Sequence, residues 1–229
     1  MNRVEYLLDD PTLKAIVCQR GSRIDFDALL NSDRPKVVTA KIPSLQLSTY
    51  GANVVAALLT SQIWLSMLKC DRSARPTFLL MDEPHQYLAG GLLWERMITE
   101  GRKYRFSPAF LFHDWAQLHR SHREFTEILQ AGYPNYLLFQ SSEANWRDLR
   151  ETIHPLTLQE AMRLPQYHAL AILHTLGGRA DPIILRTLPD PPRARAREDW
   201  SRRCLATYGP PRDAVLHDIA RREGMLGAY

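Results

Sequence analysis

The 229 residues (26.4 kDa) suffice for one large or two small domains around a buried core, and 45% hydrophobic with 24% charged residues excludes a disordered or fibrous chain. The net charge of +4 is uneven, with eight arginines against five acidic residues in residues 191–229, which is too mild to specify nucleic acid by itself. The longest strictly apolar run, Val54–Leu59, is far shorter than the roughly 20 residues of a membrane helix, and the N-terminus lacks the apolar segment of a secretory signal, so a cytoplasmic protein is expected.

The first predicted element is a strand over Lys36–Ile42, a β-branched run closed by Pro43. A long, largely buried helix follows over Tyr50–Lys69, with Ser48 and Thr49 as candidate caps. Thr77–Met81 is a continuous apolar run after Pro76, the pattern of a strand covered on both faces in a parallel sheet. A helix over Leu92–Glu100, a strand over Ala109–Phe112 and a helix over about Arg120–Gln130 continue the rhythm. They lead to a strand at Tyr136–Phe139, short helices at Ala144–Arg150 and Thr157–Arg163, and strands at Ala169–Leu173 and Ile183–Leu185. Such alternation predicts an α/β fold with a mainly parallel sheet flanked by helices. Pro189 to Arg197, rich in proline and arginine, marks a boundary between a body of residues 1–190 and a tail of residues 191–229 with two short helices, Glu198–Tyr208 and Asp213–Arg222. The tail is read as docking on the body, contacting a partner or DNA, or staying loose.

Cys18, Cys70 and Cys204 are widely separated, form no C-x-x-C pair, and read as free thiols. None of the eleven glycines is followed by lysine, so the phosphate loop G-x-x-x-x-G-K-[ST] is absent and an ordinary, complete P-loop ATPase is excluded. The strongest chemical signal is Phe78-Leu79-Leu80-Met81-Asp82-Glu83, an apolar strand that delivers two carboxylates to its C-terminal edge, where open α/β sheets place ligands. It looks like a Walker B motif, in which Asp82 holds Mg²⁺ and Glu83 orients and activates a water for attack on a γ-phosphate. The hexapeptide taken alone reads equally as a strand ending in a solvated Asp-Glu turn.

Downstream lie Glu100-Gly101-Arg102-Lys103-Tyr104 and Phe110-Leu111-Phe112-His113-Asp114-Trp115-Ala116-Gln117-Leu118. With Asp82-Glu83 they form an ordered set. In it, the stretch from about Ile24 to Leu188 resembles the C-terminal half of the motor domain of conjugative coupling proteins and related DNA-pumping ATPases, the TraG and HerA/FtsK group. The resemblance implies a RecA-like core without its first nucleotide-binding elements, Asp82 on Mg²⁺, Glu83 activating water, and Arg102 as an arginine finger reaching a neighbouring subunit's nucleotide. A planar guanidinium suits that role because it stays charged and donates to phosphate oxygens in pairs. His113 stands where the family places a glutamine sensor of the γ-phosphate, and an imidazole lacks the amide's donor–acceptor pair.

The resemblance further implies a hexameric ring or assembly with intact motor subunits, non-specific DNA binding through phosphates, partners in the secretion channel or relaxosome, and a place at the inner face of the membrane through those partners. ATP and Mg²⁺ are cofactors only if the phosphate-loop half is supplied, so the chain alone is expected to be inactive or nearly so. Arg120, Arg123 and the tail residues Arg193, Arg195 and Arg197 are candidate DNA contacts. Trp94, Tyr104, Trp115 and Trp146 are expected to be packing residues more than base-stacking ones. Two other classes stay open. One is a catalytically dead remnant that binds DNA or a motor as an accessory module. The other is a metal-dependent hydrolase built on His85, His113, Asp114, His119 and His122.

Overall fold

Asp10 opens the helix α1 (Pro11–Val17) by accepting the Thr12 and Leu13 N–H groups on Oδ1 at 2.7 and 3.0 Å, while Pro11 costs no hydrogen bond in the first turn. Asp25 caps α2 (Phe26–Leu30) in the same way. The computed structural model describes residues 8–70, 75–88, 91–132, 134–192 and 199–226, and the chain divides into two compact units: Met1–Lys69 with Pro192–Tyr229, and Cys70–Pro191.

In the first unit the described elements are helical. The segment α3 (Ser44–Lys69) is two helices joined at Ser48, whose φ of 58° and ψ of 164° break the ladder. The Ser48 hydroxyl accepts the Gly51 N–H at 3.3 Å, so the helix expected after Ser48 is capped by that residue. Gly51 is required by close approach: a Cβ there would lie 2.9 Å from the buried Leu13 side chain of α1. Among the described residues α3 is the one helix long and apolar enough, by length and composition, to cross a membrane. Counting strictly apolar runs misses it, because Asn53, Thr60, Ser61 and Gln62 interrupt the sequence, and the Thr60 hydroxyl is returned to the helix by a 2.7 Å bond to the Ala56 carbonyl.

The tail forms α10 (Asp199–Tyr208) and α11 (Arg212–Leu226), and α11 docks on α1. Lys14 meets Glu223 at 2.6 Å, and Arg222 donates to the Cys18 carbonyl at 2.7 Å. Asp218 is shared by Arg20, Arg221 and Arg222; burial works to raise its carboxyl, but the three guanidinium groups outweigh it and hold the group below the ordinary carboxylate range.

The expected strand Lys36–Ile42 does not form. It runs as irregular chain with Val37 87% exposed, because a β-branched segment becomes a strand only against an edge that pairs with it, and no described element of its unit is a strand.

The second unit contains the sheets. Strands β1 (Thr77–Asp82) and β2 (Phe106–Leu111) pair in parallel, Thr77 opposite Phe106 through Asp82 opposite Leu111. Between them run a 3₁₀ turn at Pro84–Gln86, α4 (Gly91–Glu100) and a second 3₁₀ turn at Gly101–Tyr104. One face of this pair is covered: Trp94 of α4, Phe110 of β2 and Phe125 of α6 (Arg123–Ala131) meet edge to face with centroids 5.0–6.3 Å apart. The other face is open, with Phe78 66% and Leu80 68% exposed, so β1 is not covered on both sides as its apolar run predicts.

The predicted mainly parallel sheet is also corrected. Strands β3 (Tyr136–Phe139), β4 (His168–Ile172) and β7 (Ile183–Arg186) form an antiparallel sheet with β4 in the middle, and β5 (His174–Thr175) and β6 (Gly178–Arg179) form a hairpin. A parallel return needs a crossover of a dozen or more residues, whereas residues 173–182 between β4 and β7 hold only that hairpin. The fold is therefore mixed α/β, with a two-stranded parallel pair flanked by helices. The antiparallel sheet packs on Trp115, Trp146, Leu149 and Ile153, from α5 (Trp115–Ser121), α7 (Glu143–Asp148), α8 (Arg150–Ile153) and the intervening chain. Thr157 and Glu160 form a capping box at α9 (Leu158–Met162).

Candidate functional site

The two carboxylates stand at the C-terminal edge of the parallel pair. Asp82 is the last residue of β1 and is exposed. Glu83 adopts a left-handed backbone, φ 50° and ψ 56°, while its N–H continues the ladder to the Leu111 carbonyl at 2.9 Å. A non-glycine residue in that region is strained by about 1–2 kcal/mol, and such strain gathers at functional positions. The buried Pro84 starts the 3₁₀ turn immediately afterwards and fixes the bend.

Each carboxylate oxygen of Glu83 faces an imidazole. His85 Nδ1 lies 3.1 Å from Oε2, and His113 Nε2 lies 3.1 Å from Oε1. His113 comes from the neighbouring strand, two residues past the end of β2, and its side chain is 94% exposed. His122 Nε2 lies 3.1 Å from the His85 carbonyl and ties that loop to the break between α5 and α6. The break explains why the predicted helix Arg120–Gln130 is two helices: His122 has φ −142° and ψ 57°, and a new helix starts at Arg123.

The other members of the histidine and acid cluster serve the fold. Asp114 caps α5 by accepting the Gln117 N–H at 2.9 Å, and His119 Nδ1 bonds with the buried Thr126 hydroxyl at 2.8 Å. Among the described residues no group of three His, Cys, Asp or Glu is placed to hold a metal ion; the two imidazoles at Glu83 each face a different carboxylate oxygen.

Arg102 is not brought to this cluster. It lies exposed on the 3₁₀ turn Gly101–Tyr104, which Arg105 closes in a left-handed conformation (φ 54°). The Arg105 carbonyl accepts the Thr77 N–H at 2.9 Å, so the turn is fixed to the start of β1. Glu83 stands beyond the other end of that strand, about 20 Å away at the usual rise per strand residue. Gly101 lets the turn approach β2, since a Cβ there would come within 3.0 Å of the Phe106 ring and 3.1 Å of its carbonyl. Among the DNA-contact candidates, Arg120 is exposed and Arg123 is paired with Glu127 at 2.8 Å; Arg193, Arg195 and Arg197 lie outside the described residues. Trp94, Trp115 and Trp146 are buried packing residues.

Asn145 is a residue that sequence reasoning misses. It is buried on α7, donates to Ser141 Oγ at 2.6 Å and to the His113 carbonyl at 3.4 Å, and accepts the Ala116 N–H at 3.2 Å. Its amide thereby holds the chain that carries His113. Beside it opens a cleft of about 320 Å³ along β3, where burial pushes the Tyr136 phenol up against the opposing pull of Thr152 and Arg179. No local signal marks its hold on the chain that carries His113, because His113 and Ala116 lie 32 and 29 residues away.

Asp82 and Glu83 offer carboxylate oxygens side by side at a strand end. An exposed aspartate suits a hard cation such as Mg²⁺. The sequence holds no glycine-rich loop with its lysine, so these residues alone do not fit a triphosphate. Comparison with protein-family models gives no match, and no curated protein matches the sequence significantly.

Proposed function

We propose that the chain is the Walker B and arginine-finger portion of a RecA-like DNA-translocase motor of the conjugative coupling-protein type. It would act with a phosphate-binding strand and loop that this sequence does not contain. The observation that carries this reading is Glu83: a strained carboxylate at the C-terminal edge of a parallel strand pair, touched by His113 from the chain that follows the adjacent strand.

In that reading Asp82 holds Mg²⁺, Glu83 orients the attacking water, and His113 reports the state of the nucleotide to its own strand through its contact with Glu83. The separation of Arg102 from Glu83 supports a role in trans, since a side chain at the opposite end of β1 meets a nucleotide only when it belongs to a neighbouring subunit. A ring of such subunits, hexameric by the family likeness, would hold DNA through its phosphates, at the cytoplasmic side of a secretion partner. One observation favours the accessory-module reading as the runner-up. Both oxygens of Glu83 are engaged by imidazoles, an arrangement that also suits a site at rest.

The test is complementation. The isolated chain should hydrolyse ATP no faster than its Glu83→Gln variant. Once a strand and phosphate loop are fused ahead of its N-terminus, MgATP hydrolysis should appear and be lost in both Glu83→Gln and Arg102→Ala. Mixing those two inactive proteins should restore turnover, because some interfaces then pair an intact glutamate with an intact arginine. Turnover by the unfused chain that depends on Glu83 would overturn the incompleteness of the site, and a mixture that stays inactive would overturn the role of Arg102 in trans.

A further inference from the structure

Among the described residues β3 pairs with β4 alone, so alternate residues of Tyr136–Phe139 direct their N–H and C=O groups away from β4. That bare edge lines the 320 Å³ cleft, and so do Phe112 and His113, the residues that follow β2; β2 likewise has β1 as its single described partner. Trp146, 1% exposed, lines the same cleft, and its indole N–H is buried without an acceptor among the described residues. Backbone edges and buried donors are normally satisfied, so this side of the second unit presents hydrogen-bonding groups in want of partners.

We infer that the cleft is a strand-accepting site: an extended, uncharged, apolar segment of another polypeptide pairs with the edge of β3, supplies an acceptor to Trp146 Nε1, and ends beside His113 and Glu83. Three features select a strand. Bare backbone groups repeat along β3 at strand spacing, which favours strand addition over a compact ligand. The lining contains no Asp, Glu, Lys or Arg, so a charged segment would lose hydration there without gaining a partner. Leu137 and Phe139 project from one face of β3 and are half exposed, ready to meet alternate apolar side chains of an added strand. The identity of the partner as a phosphate-loop strand rests on the proposed motor function. The pairing itself does not.

The probe is a capped, fluorescein-labelled ten-residue peptide with alternating valine and threonine at its centre, set against a twin N-methylated at each central amide. Added to the full chain, the first should give a saturable rise in anisotropy and slow the exchange of those β3 amides that point away from β4 more than tenfold. The twin should bind at least tenfold more weakly, and Trp146→Phe, which trims the core and lowers the melting temperature, should still bind the first peptide several-fold more weakly than the parent when both are measured well below their melts. Equal binding of the two peptides, absence of protection on β3, or no binding would overturn the strand site. A third peptide extended by G-x-x-x-x-G-K-T separates the two readings. If it binds and protects β3 yet brings no MgATP binding, the strand site is upheld and the motor function is overturned.

Discussion

The β1–β2 pair and the β3–β4–β7 sheet are built from similar short apolar runs, yet one ends in two carboxylates and the other in packing. β4 lies between two partners and is buried along Ala169–Ile172, whereas β1 has one described partner and leaves Phe78 and Leu80 in the open. Burial is thus decided by how many edges and faces find partners, not by the hydrophobicity of the strand. The strained residue Glu83 belongs to the less covered pair, where the C-terminal edge stays accessible to a ligand.

The sharpest way to break this contrast is truncation on each side of it. Leu170→Ala, in the fully buried middle of β4, should cost about 2–5 kcal/mol, while Leu80→Ala on the open face of β1 should cost under about 1 kcal/mol. Denaturant melts of the two variants measure it, and equal losses would mean that the open face is covered in solution. Next in size is Gly101→Ala, whose new Cβ crowds the Phe106 carbonyl and should cost about 1–2 kcal/mol while displacing the turn that carries Arg102. Arg102→Ala should leave stability within about 0.5 kcal/mol, since the side chain is exposed.

Glu83→Gly tests whether the two regions differ in stored strain. Glycine adopts the left-handed backbone freely, so relief of strain should offset the loss of the two imidazole contacts and give a change between zero and about 1 kcal/mol of stabilisation. A thermal melt reads the result. Clear destabilisation would show that the histidine bracket, not the backbone, holds this corner.

The local part of the fold is legible in the sequence. Ser48 and Thr157 cap the helices that follow them, β3 spans the residues its apolar run marks, and Asp82-Glu83 stand out as carboxylates at a strand end. What is illegible depends on distant partners. Residues 36–42 carry a strand's composition but lack an edge, and the antiparallel return to β4 follows from packing on Trp115 and Trp146. The histidine cluster is divided by tertiary contacts, His119 to Thr126 and His122 to the His85 carbonyl, which residue spacing does not encode. The ordered set of motifs likewise does not reveal that Arg102 and Glu83 sit at opposite ends of β1, because that follows from the parallel register with β2.

The smallest expected effect lies beside the antiparallel sheet, at the start of α9. Glu160 receives hydrogen bonds from the Thr157 backbone N–H at 2.8 Å and from the Thr157 hydroxyl at 2.7 Å, which hold its carboxyl below the ordinary glutamate range. A lowered folded pKa means that the charged form is favoured by folding. The contribution is therefore complete above the unfolded pKa of about 4.3 and is lost as pH falls through the folded value. Glu160→Gln keeps the side chain's shape and removes its titration, so its melting temperature should fall less steeply than that of the parent between pH 5 and pH 3, with the two curves separated most at neutral pH. Parallel curves over that range would mean that the capping box frays in solution, and the firm helix start would then no longer distinguish this sheet's surroundings from those of β1 and β2.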